Sequence, residues 1–447
     1  MENGDIGSSN WTKGWKKDSL FGRFLSVLSI DVLFKLSGIF LLPLYLRLMT
    51  QEEYGLYNYI LSITANVTIL LCLGLYVSQS KYYNDTTIAE RKGVMLFNVF
   101  LLVTASMVVI LVPVYSLKLD YRLIRFFFKN EINYPAYRWT ILLAIIVSVY
   151  VLMLTNFFVA SEKIKHFRRF NLVRLALVNV TALAGLYFFA LDKINGRLLY
   201  TYLAEGVILL GFSLFWIREM VPRIDGRVMR KSLLLGLPVM LSAICSTVAN
   251  YSDKYYLEKY GSGVDLSYYY LAFSVANVIY MIYTAMQSAW LPIFLQEKNL
   301  RKNMAQTRQM MIRVGLLLLG VSVLLVTGFY VVLVTGIISQ AYWPALNILP
   351  VLLVAQILSG LLQLYSNYFI YLEKTYWSFV IGLLASGIGI SGSYLLIPRW
   401  NVFGAVVVFL LVQMAYLLLY YAVISHTIKK RLQKGDDLSH ESAREPV

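Results

Sequence analysis

Charge is scarce in this sequence. Asp, Glu, Lys and Arg make up 14% of its 447 residues, against 59% hydrophobic residues and a mean hydropathy of +0.64. Soluble domains rarely combine such values, so a soluble globular fold is excluded and a multi-pass membrane protein is expected. Cysteine is nearly absent: Cys72 and Cys245 both lie in apolar runs, where a thiol acts as a small core hydrophobe, and no disulfide framework is expected. Only three histidines occur, His166, His426 and His440, all in predicted loops or the tail, which weakens any chemistry needing an imidazole within the membrane. No metal-ligand spacing, nucleophile and base pairing or phosphate-cradling glycine loop stands out, so neither a metal nor an organic cofactor is expected.

What is present is a series of apolar runs of about 20 residues, each long enough to cross roughly 30 Å of hydrocarbon. They predict twelve spans: 24-46, 54-77, 93-116, 138-160, 171-191, 198-217, 232-257, 266-290, 311-335, 344-372, 377-397 and 404-426. The first run lacks a small-residue cleavage site and is expected to stay in place. Lys and Arg divide 28 on the side of the N-terminus against 10 on the other, with Lys35 and Lys254 inside spans completing the 40. Cytoplasmic loops hold that excess, which places both termini in the cytoplasm. The same asymmetry accounts for the net charge of +16, so nucleic acid is not expected as a partner. The longest outward loop, "LKLDYRLIRFFFKNEINYP", reads as a short amphipathic helix.

The chain matches itself at an offset of 211 residues. "YGLYNYILSITANV" aligns with "DLSYYYLAFSVANV", and "NFFVASEK" with "NYFIYLEK". The all-α architecture expected is therefore two pseudo-symmetric six-helix bundles, parallel repeats related by an axis along the membrane normal. They are a cytoplasmic segment 1-23, an N-terminal bundle 24-217, a cytoplasmic linker 218-231, a C-terminal bundle 232-426 and a cytoplasmic tail 427-447. Transporters commonly place the substrate path between such halves.

Charges inside spans mark the candidate site. Asp31 and Lys35 share a helix face, and Lys35 lies roughly 16 Å from either end of its span, too deep to snorkel. Each charge costs on the order of 2.5 to 3.5 kcal/mol at the bilayer centre. The pair either pins its helix into the bundle or offers Lys35 to an anion with Asp31 holding it. Its repeat counterparts are Ser242 and Ser246, which tilts the reading toward function. Asp253 and Lys254 lie near the outer end of span 7, where a lysine can snorkel. Glu205 is deeper, with no charged neighbour within four residues, and can carry a coupling proton or sodium ion or bond a neighbouring helix. Arg174 lies near enough to the inner end to snorkel and is kept as a candidate cavity cation. Amides such as Asn66 and Asn277, with 34 tyrosines, serve as interhelical glue or line a passage for sugars.

Five stretches carry a family likeness: "LLPLYLRLMTQEEYGLYNYILSI", "GLPVMLSAICSTVANYSDKYYLEKYG", "SAWLPIF", "AYWPALNILPVLL" and "YLLIPRWNVFGAVVV". They resemble, over nearly the whole chain, polysaccharide flippases of the O-antigen (Wzx) type in the multidrug/oligosaccharidyl-lipid/polysaccharide exporter superfamily. The resemblance implies a V-shaped pair of bundles around a cationic cavity. It implies a bacterial inner-membrane transporter, not an enzyme, that moves undecaprenyl-diphosphate-linked oligosaccharide from the inner to the outer leaflet by alternating access. It also implies membrane lipids as surroundings and the polymerase and ligase of the same pathway as candidate partners. Asp253 and Lys254 coincide with an acidic-basic pair of that family's seventh helix. Asn401 departs from a turn where the family has Gly; Asn tolerates a left-handed conformation. The rival readings are a drug/cation antiporter of the same fold and an integral-membrane glycan polymerase or acyltransferase.

Overall fold

The computed structural model describes residues 40–84, 89–129, 134–189, 192–297, 299–372, 374 and 376–434. Asp31 and Lys35 lie outside the described residues, as does most of the first predicted span. Everything described is helix or short connection. In order the helices are α1 (Leu42–Leu48), α2 (Gln51–Leu71), α3 (Leu75–Asn84), α4 (Ala89–Ser116), α5 (Leu119–Phe127), α6 (Tyr134–Ala160), α7 (Ile164–Phe188), α8 (Lys193–Ile217), α9 (Gly226–Tyr260), α10 (Gly263–Gln296), α11 (Leu300–Val334), α12 (Trp343–Tyr371) and α13 (Tyr376–Lys434).

Nine helices among the described residues are long and apolar enough to cross a membrane, and α2 with α3 forms a tenth span bent by 53°. The 59-residue α13 is two spans in one, broken at Asn401, so every predicted span from the second to the twelfth is accounted for. Its second limb continues as helix past the predicted span end at 426. The amphipathic loop forms α5. On α11, Leu316, Leu319, Val323 and Leu324 point outward and uncovered, a patch that water would not tolerate and lipid requires. The protein is a multi-pass membrane protein.

Local chemistry sets the corresponding helix starts in the two halves. Thr50 caps α2 and Glu53 reaches back, with Glu53 N donating to Thr50 Oγ1 at 3.2 Å and Thr50 N to Glu53 Oε2 at 2.7 Å. Ser262 and Asp265 form the same box at α10, at 3.1 and 2.9 Å. Each box satisfies two backbone donors that the first turn leaves open.

Helices up to α8 pack mainly on one another, and α9 to α13 do likewise. We call the end of the bundle that holds Thr50 and Gly261 the outer end, after the orientation expected from Lys and Arg. The halves meet where α2 lies against α10 and where α9 leans on α3. Toward the outer end a Cβ at Gly55 would fall 2.4 Å from the Gly263 carbonyl oxygen, so only glycine permits that approach. Ser62 Oγ and Tyr270 OH bond across the same seam at 2.8 Å. Toward the inner end a Cβ at Gly74 would fall 2.2 Å from Gly236 O, and Ser78 Oγ donates to Ser232 O at 2.8 Å.

Candidate functional site

Beside the outer seam lies a cavity of about 270 Å³ bordered by both halves, its α2 wall running from Tyr54 to Leu61, level with Gly55 and Ser62. The N-terminal half contributes Tyr45 from α1, Tyr57 and Asn58 from α2, Asn179 from α7 and Arg197 and Thr201 from α8; Ser274 and Asn277 come from α10. Asn277 thus stands on the wall of this cavity. Its repeat counterpart Asn66 is half-buried on α2, about 12 Å further along the helix than Asn58.

Arg197 dominates this cavity. Its guanidinium lies between the Tyr45 and Tyr57 rings, 3.6 and 3.9 Å from their centroids. Nη1 points at the Met49 sulfur at 3.4 Å, and Nε has no hydrogen-bond partner. The residue is 9% exposed, and among the described residues no carboxylate pairs with it. Two tyrosine faces stabilise a cation by about 0.5 to 2 kcal/mol each, less than the several kcal/mol that burial of an ion costs. The arrangement therefore has room for an anion.

A second cavity, about 430 Å³, lies inside the N-terminal half among α6, α7 and α8, lined by Ser148, Asn156, Asn171, Arg174 and Glu205. Arg174 Nη2 donates to Glu205 Oε1 at 2.5 Å, with both side chains largely buried. The sequence read these residues separately, Arg174 snorkelling and Glu205 without a charged neighbour. They lie 31 residues apart and the fold joins them, because α7 and α8 pack antiparallel along their length.

Asp253 and Lys254 lie elsewhere, inside the C-terminal half. They are 1% and 6% exposed and paired at 3.3 Å. The Tyr269 hydroxyl donates to Asp253, and Lys254 Nζ donates to Asn250 O at 2.8 Å and sits 4.7 Å from the Phe273 ring centroid. Gln413 Nε2 completes the cluster on Asn250 Oδ1 at 2.8 Å. Lys254 does not snorkel: an adjacent carboxylate, a carbonyl and three aromatic rings satisfy it within the bundle. Gln287 and Asn367 bond across helices at 2.6 Å, the glue pattern, whereas Asn156 Nδ2 donates to Leu152 O of its own helix at 2.8 Å and Gln363 Oε1 is buried without a partner.

Missed by sequence reasoning was Arg197, assigned to a loop between spans 5 and 6. The signal was Asp192, whose carboxylate accepts from Asn195 N at 3.1 Å as an N-cap. Starting the helix there puts Arg197, Thr201 and Glu205 at spacings of four, on one flank.

The fold is thus a helical membrane fold in two packed halves, with a polar cavity on their seam. Residues 23–298 match the family described as polysaccharide biosynthesis protein, and the chain belongs to that family. Among solved structures the fold is similar to "Lipid II flippase MurJ, inward closed conformation", with TM-score 0.64, 13% identity, and 91% of this chain and 86% of that one covered. It is also similar to an outward-facing multidrug resistance MATE family transporter of the MOP superfamily, at TM-score 0.62 and 14% identity over 91% and 94%. A MOP superfamily transporter from Pyrococcus furiosus gives 0.62 and 13% over 91% and 94%. Among curated proteins none matches this chain.

Proposed function

We propose that this protein is a flippase for an undecaprenyl-diphosphate-linked oligosaccharide in the bacterial inner membrane, working by alternating access with both termini in the cytoplasm. Arg197 is the observation that carries the reading: a buried cation, uncountered among the described residues, on the cavity that both halves border. The diphosphate sits on this cation, the tyrosines, asparagines and serine around it meet the glycan, and the prenyl tail stays in lipid. The seams at Gly55 and at Gly74 open in turn. Moving two negative charges outward from a negative cytoplasm is favoured by about 2.3 kcal/mol per charge per 100 mV, so the potential contributes directly. Asp31 and Lys35, on sequence grounds, supply a further anion contact, and Glu205 remains the candidate for proton or sodium coupling. The lipid-linked substrate of the MurJ neighbour and the family's role in polysaccharide biosynthesis support the choice of cargo. The pathway's polymerase and ligase are the expected partners. A drug/cation antiporter of the same fold would need a dominant intramembrane carboxylate site, and the described lining of this cavity holds Arg197 and no carboxylate.

The test is complementation of a flippase-null strain. Arg197→Gln should lower surface polysaccharide at least about tenfold with unchanged membrane abundance, a loss of about 1.4 kcal/mol or more in handling the anion. Normal polysaccharide in that strain would sink the assignment, and Lys35→Gln tested beside it reports on the sequence-based contact.

A further inference from the structure

Outward loops of membrane proteins are usually poor in lysine and arginine, yet the expected outward segment that carries α5 exposes Lys118, Arg122, Arg125 and Lys129. Arg122 and Arg125 lie about one turn apart on the same edge of the helix, and the two lysines flank its ends. Leu123 and Phe126 stand on the flank beside that edge, 47% and 58% exposed. Asp120, the only acid among residues 117–129, is turned the other way and buried. Arg138 Nε donates to it at 2.6 Å and the Tyr134 hydroxyl at 2.8 Å, which fastens the start of α5 to α6. The far end rests on the other half. There Lys129 N donates to Glu258 Oε1 at 3.1 Å, Lys259 Nζ to Phe128 O at 3.4 Å, and the Phe126 ring stacks on Tyr255 with centroids 5.3 Å apart. The helix is a strap between the halves at the outer end, with an inward face of protein contacts, an apolar flank and a basic edge.

The surroundings of α5 place it at the level of the membrane surface. Val108, Val109 and Val112 form an exposed apolar stripe on α4 that leads to exposed Leu117, just before α5. Trp139, also exposed, stands beside Tyr115, and aromatic side chains of this kind mark the membrane interface. A helix at that level buries an apolar flank about 5 to 10 Å into the boundary of headgroups and acyl chains and keeps its bases among the headgroups. We infer that α5 is a docking surface for the anionic lipid of the leaflet at the outer end. Leu117, Leu123 and Phe126 enter the acyl region, and Arg122 and Arg125 take the lipid phosphates. Charge complementarity names this occupant, because the exposed edge carries bases while the one described acid of the segment is neutralised inside. The strap joins both halves, so lipid held on it bears on the outer closure. The inference stands apart from the cargo assigned to the cavity.

The test uses the full chain with Cys72→Ala and Cys245→Ala, reconstituted in symmetric bilayers so that the outcome does not depend on which side is cytoplasmic. A bimane label on Leu123→Cys reports quenching by chain-brominated phosphatidylglycerol or by chain-brominated phosphatidylcholine. Both lipids should quench it. Phosphatidylglycerol should associate at least about fivefold more strongly, since a single base near an anionic surface contributes roughly that factor. Arg122→Gln with Arg125→Gln should remove most of the preference, and Arg122→Lys with Arg125→Lys should keep it. All four substitutions are at exposed positions, and quenching by phosphatidylcholine that matches the unaltered charge background shows that the flank still sits in lipid. Absence of quenching by either lipid overturns the dock and points to a protein surface over the flank; a second copy there would be trapped as a disulfide between unlabelled Leu123→Cys chains. Equal association of the two lipids overturns the anionic occupant. A preference that survives both glutamines overturns the assignment to this edge.

Discussion

In the C-terminal half the buried charges close on one another: Asp253 takes Lys254 and Tyr269, Lys254 takes a carbonyl and three rings, and Gln413 secures the turn that holds them. In the N-terminal half, Arg197 has tyrosine faces and a sulfur but no described carboxylate, and Arg174 shares its carboxylate with a cavity. The same duplicated scaffold therefore holds its charges in two ways. A closed cluster fixes helix positions; an open one keeps capacity for a ligand. Under the flippase proposal, this contrast puts rigidity in α9, α10 and α13 and substrate handling around Arg197 on α8.

The strongest way to break that contrast is to open the closed cluster. Asp253→Asn leaves Lys254 buried without a counterion and should cost about 3 to 5 kcal/mol, read as lost membrane abundance and a lower thermal midpoint. Asp253→Asn with Lys254→Met removes both charges and should restore most of the stability and, with it, transport. Restored abundance with transport still dead would mean that the pair handles substrate or ions, and the two halves would not divide the work as argued.

Much of this architecture is legible in the sequence because lipid enforces it. Backbone groups in hydrocarbon must be satisfied within a segment, so apolar length alone marks the spans. The site was less legible. Charges stand out in a span, which drew attention to Asp253, Lys254 and Glu205, but charge alone does not say where a side chain points. Lys254 turned inward because Phe273 and Phe409, on other helices, enclose it together with Asn250 one turn earlier on its own helix. The pairing of Arg174 with Glu205 needs the α7 and α8 register, which no local pattern carries. Arg197 escaped because a hydropathy window begins the span at residue 198, whereas the Asp192 cap begins the helix earlier.

A middle-sized effect should come from the seam between the halves. Gly74 has φ of 66° at the bend between α2 and α3, and its α-carbon lies against Gly236. Gly74→Ala adds both a positive-φ strain and a clash with a backbone oxygen, and should cost more than about 1 kcal/mol. Because the clash lies on the inner seam, it should also favour separation at that end. Labelling of a cysteine placed at Ser232 by a membrane-impermeant maleimide in inside-out vesicles should rise in the variant. Equal labelling would show that the contact of Gly74 with Gly236 does not hold the inner end shut.

The smallest change tests the rigid side. Asn401 breaks α13 with φ 47° and ψ −124°. This is not the left-handed helical conformation that Asn tolerates; ψ is far from it, in a region typical of the first central residue of a type II′ turn, where glycine is strongly preferred. The family's glycine therefore suits this corner better than the residue present. Strain of this kind is worth on the order of 1 to 3 kcal/mol, offset by the roughly 0.4 to 1 kcal/mol that glycine's freer unfolded chain takes back. Asn401→Gly should accordingly stabilise by about 1 kcal/mol, a rise of about 1 to 2 °C in the thermal midpoint, while Asn401→Ala lowers it. If the C-terminal half is the static partner, tightening its corner leaves the transport rate unchanged. A slower rate in a more stable variant would mean that this corner flexes during the cycle, and that rigidity is not confined to one half.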